Sequence, residues 1–213
     1  MFLILSSLRQ FQQALQAGKS GHFNARLSLS NDPNGKILGN LGLGGIGKAL
    51  ATPAQAFGMT VQYHNRTRLS LGAAEALNVH YVDSMDELFE TSDVISIHVP
   101  LSSKTRHLVS SRQFELMKGS AVLINTARGP IIDETAMIHA IETGSIAGVG
   151  LDVYEDEPHI PSAFLSHPGA ICLPHVGTMS LESQTEMEAV CMYNLCSAVE
   201  HGTLPYVVPE QRL

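Results

Sequence analysis

The sequence predicts an α/β fold, a doubly wound parallel sheet with helices on both faces. Apolar runs at 36–42, 60–64, 93–99, 121–127, 147–153 and 170–173 alternate with segments of helical periodicity. Strands that are apolar almost throughout belong to sheets covered on both faces. The second observation is the stretch Lys36–Gly47, KILGNLGLGGIG. Its apolar run breaks into Gly42, Gly44 and Gly47, the G-x-G-x-x-G spacing of a Rossmann-type dinucleotide-binding turn. The first glycine permits the tight turn, the second lets backbone approach a pyrophosphate, and the third lets the next helix pack on the strand. The start of that helix then offers free N–H groups and a partial positive charge to phosphates.

The same letters come close to a P-loop, because Gly42 is followed at the right interval by Gly47 and Lys48. Position 49 is Ala, however, and a P-loop needs a Ser or Thr hydroxyl there for magnesium. Composition narrows the classes further. With 213 residues, 44% of them hydrophobic and 15% charged, the chain can bury a full core. A formal charge of −7 provides no basic field for nucleic acid or an anionic membrane. Cys172, Cys191 and Cys196 form no C-x-x-C pair, so a reducing, cytoplasmic setting is expected and no metal site is. No apolar run approaches the length of a membrane span.

The elements follow in order. Met1, Ile4, Leu5, Leu8, Phe11 and Leu15 recur at helical spacing and predict one amphipathic helix; MFLILSSL lacks the basic flank of a secretory leader and breaks at Ser6. Gly18–Asn34 reads as a connecting loop. After the glycine turn, a helix with Ile46, Ala49, Leu50, Pro53, Ala56 and Phe57 on one face stops near Gly58, with Pro53 an irregularity inside it. Asn40 is a polar residue in a strand that should be buried, and it needs a partner. Ser84 with Glu87 and Ser110 with Gln113 have capping-box spacing. Asp133 is placed to cap a helix carrying Met137, Ile138 and Ile141, and Gly144 to seal it. A long helix from about Ser180 to His201 carries Met187, Val190, Cys191, Leu195, Ala198 and Val199 on one side.

Ligands of such sheets bind beyond the carboxyl ends of the strands, and those ends carry Asn65-Arg66, Val99-Pro100-Leu101, Asn125–Pro130, Asp152–Pro158 and His175. GLGGIG, the VPL turn, NTARGPIID, GLDVYEDEP and LPHVG, in this order, resemble the D-isomer-specific 2-hydroxyacid dehydrogenases, above all glyoxylate and hydroxypyruvate reductases. The similarity covers nearly all of 36–207. It implies hydride transfer between a nicotinamide and C2 of a small 2-oxo acid, with Arg128, Glu157 and His175 as the catalytic groups. A planar guanidinium can bind and polarise an oxo acid, and an imidazolium can protonate the alkoxide. A neighbouring carboxylate fixes the imidazole's tautomer and raises its basicity. Taken singly, each has a plainer reading: a solvated Arg, an exposed acidic loop, a turn His.

On the cofactor side the resemblance places Gly45 and Ile46 at the pyrophosphate and Val99 and Pro100 beside the nicotinamide riboside. Thr105 follows in the same loop, Thr126 and Ala127 lead into Arg128, and Asp152 accepts from the carboxamide. An NAD site usually has an acidic residue at the end of the second strand, about twenty positions beyond the glycines; here Asn65-Arg66 stands there with Arg68 close by. The missing negative charge and the guanidinium favour NADP(H) over NAD(H). Family members carry a further stretch before the first helix. The expected organisation is therefore an inter-domain helix and loop at 1–35, a dinucleotide-binding domain at 36–178, and a C-terminal helix and tail at 179–213 that returns to a truncated second domain. Uncovered apolar helices predict a homodimer. A non-catalytic dinucleotide-binding module that uses those helices to hold a partner is the alternative.

Overall fold

Seven strands, β1 (Ile37–Leu41), β2 (Thr60–His64), β3 (Val79–Tyr81), β4 (Val94–Ile97), β5 (Val122–Asn125), β6 (Gly148–Leu151) and β7 (Ala170–Cys172), form one sheet. All neighbours pair parallel, in the order β3-β2-β1-β4-β5-β6-β7. This computed structural model describes residues 1–23 and 27–207. The strand order is that of a doubly wound dinucleotide-binding fold, and the winding reverses between β1 and β4, where the ends of two strands leave a crevice.

The helices are α1 (Phe2–Leu8), α2 (Phe11–Lys19), α3 (Gly45–Ala56), α4 (Leu71–Leu77), α5 (Met85–Thr91), α6 (Ser111–Leu116), α7 (Glu134–Glu142), α8 (Ser162–Ser166) and α9 (Leu181–His201). Within Met1–His175 the helices cover both sheet faces and so create two cores. One joins Leu88, Phe89, Phe114, Met137, Ile141 and Phe164 to Ile95, Ile97, Leu123, Val149 and Leu151. The other joins Leu3, Ile4, Leu8, Ala51 and Ala54 to Leu38, Val61, Tyr63, Val94, Val122 and Ile124. Met1–His175 form one compact unit and the residues from Val176 onward another.

Several local expectations hold. Asp133 Oδ1 accepts the Ala136 N–H at 3.0 Å, Gly144 takes φ +71°, and the Ser110 N–H donates to Gln113 Oε1 at 3.0 Å. Ser84 Oγ accepts from the Glu87 N–H, but Glu87 reaches one residue further back, to the Asp83 N–H at 3.2 Å. The buried Asn40 donates from Nδ2 to the Gly47 carbonyl at 3.3 Å and so ties β1 to α3. Its Oδ1 has no partner among the described residues.

Other expectations need correction. The single helix expected over residues 1–15 is two, broken at Gln10 with φ 52°. In a continuous helix the Leu8 carbonyl would take the Gln12 N–H; instead it accepts the N–H of Asn31 at 3.0 Å. Of the predicted face of α3, Ile46 and Phe57 are exposed, and Gly47, Ala51 and Ala54 are buried, because only small side chains let the helix lie close on β1 and β2. α4, β3 and α8 escaped the sequence reading, each being too short for periodicity to show. In the second unit, Ser180 Oγ accepts the Ser183 N–H and Gly202 at φ +67° closes α9. Met187, Leu195 and Val199 on that helix are exposed. The tail from 208 to 213, part of the expected C-terminal segment, lies outside the described residues.

Candidate active site

The glycine turn is built as its spacing requires. Gly42 has φ +97°, and a Cβ there would sit 3.0 Å from the His98 carbonyl carbon. A Cβ on Gly47 would come within 2.6 Å of the Gly42 oxygen, so α3 can seat on β1 only without one. Gly44 and Gly45 are exposed, with nothing within 4 Å of a built Cβ. That open space over the N-terminus of α3 suits a pyrophosphate, and Ile46 stands exposed beside it. Asn65 points inward rather than outward: its Oδ1 accepts the Leu43 N–H at 2.7 Å and holds the turn. Arg66 is exposed and makes no hydrogen bond or ion pair among the described residues, whereas Arg68 stacks over Tyr81 with its guanidinium carbon 4.9 Å from the ring centroid.

Beyond the ends of β1, β4 and β5 lies a cavity of about 370 Å³, lined by Ile46, His98, Val99, Pro100, Leu101, Thr126, Ala127 and Arg128. It occupies the crevice between β1 and β4 that the strand order creates. Thr105 shapes one wall: its hydroxyl donates to the Pro100 carbonyl at 2.6 Å and accepts the Ser102 N–H at 2.7 Å. Asn125, buried at the end of β5, shapes the other. Its Nδ2 donates to the Arg128 carbonyl and its Oδ1 accepts the Ala127 N–H, both at 3.0 Å. Gly129 follows, packed so closely that a Cβ would overlap the Tyr154 carbonyl. Arg128 is exposed at the cavity, with Nη1 donating to the Ala127 carbonyl at 2.6 Å.

The ends of β6 and β7 supply the remaining groups. Glu157 Oε2 is 2.8 Å from His175 Nδ1, and Glu157 Oε1 accepts the Tyr154 N–H at 3.1 Å. The Tyr154 hydroxyl donates to the Leu173 carbonyl at 2.9 Å, tying the two strand ends together behind the pair. Burial pushes the Glu157 carboxyl up, but the His175 hydrogen bond, the Tyr154 N–H and the charges of His175 and Arg128 outweigh it and leave the group below its ordinary value. Asp152 is 4% exposed, with its N–H on the Asn125 carbonyl at 3.0 Å. Arg128, Glu157 and His175 thus meet on one rim, with the open glycine turn at the same end of the sheet. Among the described residues no group of three or more His, Cys, Asp or Glu side chains could hold a metal ion.

Sequence reasoning passed over His98, Leu101, Asn125 and Glu155 as individual residues. His98 Nε2 is buried without a partner among the described residues, and burial lowers the imidazole's pKa to about 4, so this ring is neutral. A histidine closing an otherwise apolar strand was the available signal. Asn125 could have been found from its place between a buried strand and an Arg-Gly turn, where a short amide side chain commonly bonds neighbouring backbone.

The family described as D-isomer specific 2-hydroxyacid dehydrogenase, NAD binding domain, matches residues 1–177. The chain belongs to this family. It is 44% identical over 212 residues to 4-methyl-2-oxopentanoate reductase A of Aspergillus oryzae, covering 100% of this chain and 64% of that protein. A solved glyoxylate reductase from Paecilomyes thermophila is 45% identical with a TM-score of 0.94, over 99% of this chain and 63% of its own. The NADPH-dependent glyoxylate/hydroxypyruvate reductase of Sinorhizobium meliloti, solved with NADP and malonate, is 34% identical with a TM-score of 0.90, over 98% of this chain and 65% of its own. The chain therefore spans a little under two thirds of these relatives. It has the family's NAD(P)-binding fold, and among its described residues no helix is long and apolar enough to cross a membrane.

Proposed function

We propose that this family member is an NADPH-dependent reductase of small 2-oxo acids, of the glyoxylate or hydroxypyruvate type. The observation that carries the reading is the 2.8 Å pair between Glu157 and His175 on the rim that also bears Arg128. The open backbone at Gly44 and Gly45 fits a pyrophosphate, and the cavity lined by Val99, Pro100, Thr126 and Ala127 fits a nicotinamide riboside at the reversal of the sheet. Asp152 is assigned to the carboxamide. Bound there, the cofactor supplies a hydride to C2 of the oxo acid.

The chain's own groups then have distinct tasks. Arg128 binds the substrate carboxylate and draws charge from its carbonyl. The imidazole of His175, held through Nδ1 by Glu157, presents Nε2 and delivers the proton that the developing alkoxide needs. Glu157 carries a negative charge at neutral pH, which stabilises the imidazolium before transfer and keeps the ring in one tautomer. Arg66, which makes no hydrogen bond or ion pair among the described residues and has no acidic residue beside it in the sequence at the end of β2, is assigned to the 2′-phosphate, in line with the NADP bound by the Sinorhizobium relative. Residues 1–35 and 179–213 are read as the segments flanking the dinucleotide domain at 36–178. Pairing with a second copy is supported by exposed Phe2, Phe11 and Leu15 around a groove of about 500 Å³ that Leu165 also lines.

The test follows reduced-nicotinamide absorbance with NADPH and glyoxylate, hydroxypyruvate or 4-methyl-2-oxopentanoate. Turnover that Arg128→Ala abolishes while NADPH affinity stays unchanged is the expected result. Saturable NADPH binding without turnover of any oxo acid would replace this reading with that of a non-catalytic dinucleotide-binding module.

A further inference from the structure

Glu155 lies two residues before Glu157, and its side chain turns toward the loop after β4. One oxygen, Oε1, takes a hydrogen bond from Arg106 Nη2 at 2.6 Å and lies 2.8 Å from His107 Nε2. Its own N–H donates to Glu134 Oε2, in the first turn of α7, at 3.1 Å. His107 is a non-glycine residue at φ 50°, a backbone state that must be held by its surroundings. What holds it is its N–H on the Pro130 carbonyl at 2.9 Å together with the ring contact to Glu155. Gly129, next to Pro130, is pressed against the Tyr154 carbonyl. The loops after β4 and β6 therefore meet at one carboxylate, and the loop after β5 joins both through backbone, Pro130 to His107 and Gly129 to Tyr154. The loop after β4 begins with Val99, Pro100 and Leu101 of the cavity wall, that after β5 carries Arg128, and that after β6 carries Glu157.

We infer that Glu155 is a positioning residue: through Arg106 and His107 it clamps the loop lining the nicotinamide cleft to the loop that carries Glu157. The inference rests on the reductase reading for its effect on turnover and on geometry alone for the clamp. Glu155 touches none of the groups assigned to chemistry. Its side chain is 25% exposed and that of Arg106 55%, so each contact resembles a partly screened surface pair, and removing one shifts a local opening equilibrium by about two- to fivefold. Such a change is small for stability. It is large enough for rate, because misplacing an acid and a substrate-binding group relative to each other costs catalysis steeply.

The experiment compares the whole chain with Glu155→Gln, Arg106→Ala, the double variant and Arg112→Ala. The last breaks an unrelated exposed pair with Asp86. Amide hydrogen exchange is read at His107, Tyr154 and Glu155, with NADPH affinity and turnover measured alongside. The expected result is exchange about threefold faster in both loops for either single variant, with no further gain in the double. kcat falls by about tenfold while NADPH affinity changes less than twofold, because the pyrophosphate site is elsewhere; Glu155→Asp restores part of the loss. Faster exchange confined to one loop, or additive effects in the double variant, overturns the clamp. Faster exchange in both loops with unchanged kcat overturns the positioning role. If the unaltered chain shows no turnover, the reductase reading fails, and the exchange data alone still decide the clamp.

Discussion

Glu157 bridges two strand ends, with Oε2 2.8 Å from His175 Nδ1 and Oε1 on the Tyr154 N–H at 3.1 Å. The carboxylate is held from both sides, so its geometry does not depend on a ligand. Glu157→Gln keeps the backbone contact and removes the charge that favours imidazolium. Turnover in the proposed reaction is expected to fall by about 100-fold, within the range of a lost general-acid contribution, with NADPH affinity unchanged. Steady-state rates beside a fluorescence titration check this. The pH sign follows from the lowered Glu157 pKa. The interaction is complete above the ordinary value of 4.5 and is lost as pH falls through the lower folded value.

Arg66 and Arg68 look equivalent in sequence, but the structure separates them. Arg68 is committed to the face of Tyr81, while Arg66 makes no hydrogen bond or ion pair among the described residues. Arg66→Ala is expected to weaken NADPH binding by about tenfold and leave NADH within twofold, the loss of one charge-assisted contact to phosphate. Arg68→Ala is expected to weaken both cofactors alike, by loosening the end of β2. Titrations with the two reduced cofactors distinguish these outcomes.

The parts legible in the sequence were those in which one local rule acts alone. The glycine turn was legible because each glycine meets a backbone constraint within a few residues, and Asp133 because a cap acts three residues ahead. The motifs single out Glu157 and His175, although nothing in either segment shows that they touch; that requires β6 and β7 to pair. The bond from the Leu43 N–H to Asn65 Oδ1 is not legible, because the two residues lie 22 apart in sequence. The break at Gln10 was hidden for a similar reason, since it depends on Asn31 capturing the Leu8 carbonyl. On α3, periodicity marked Ile46 and Phe57 as core, whereas close approach of helix to sheet selected glycine and alanine.

Asp93 is expected to carry much of the acid sensitivity of the fold. Its Oδ2 accepts the Ile37 N–H at 2.8 Å and its Oδ1 accepts from Lys118 Nζ at 3.0 Å, joining the starts of β1 and β4 to the segment before β5. Burial raises its pKa, but the Ile37 N–H and the Lys118 bond and charge outweigh that and leave it lowered. Stability from this group is therefore complete above the ordinary 3.8 and disappears as pH falls through the lower folded value. Asp93→Asn is expected to cost about 1–3 kcal/mol at pH 7. Urea melts at pH 7 and pH 3 check this: the gap between the two proteins narrows at the lower pH, and a constant gap would assign the cost to shape rather than charge.

The glycines separate folding from binding. A Cβ at Gly129 overlaps the Tyr154 carbonyl, and one at Gly47 lies 2.6 Å from the Gly42 oxygen; in both cases the obstacle is backbone, which cannot rotate away. Gly129→Ala and Gly47→Ala are each expected to destabilise the protein by about 3 kcal/mol or more, as overpacking against a fixed neighbour does. At Gly44 the built Cβ meets nothing within 4 Å. Gly44→Ala is accordingly expected to melt within about 1 kcal/mol of the unaltered chain, an ordinary surface change. Its new methyl group occupies the space through which a pyrophosphate reaches the α3 N-terminus, so NADPH affinity should fall by about tenfold or more. Thermal melts and NADPH titrations on the three variants give opposite orderings if the turn is a phosphate site. A Gly44→Ala protein that binds NADPH as before would show that the turn serves packing alone.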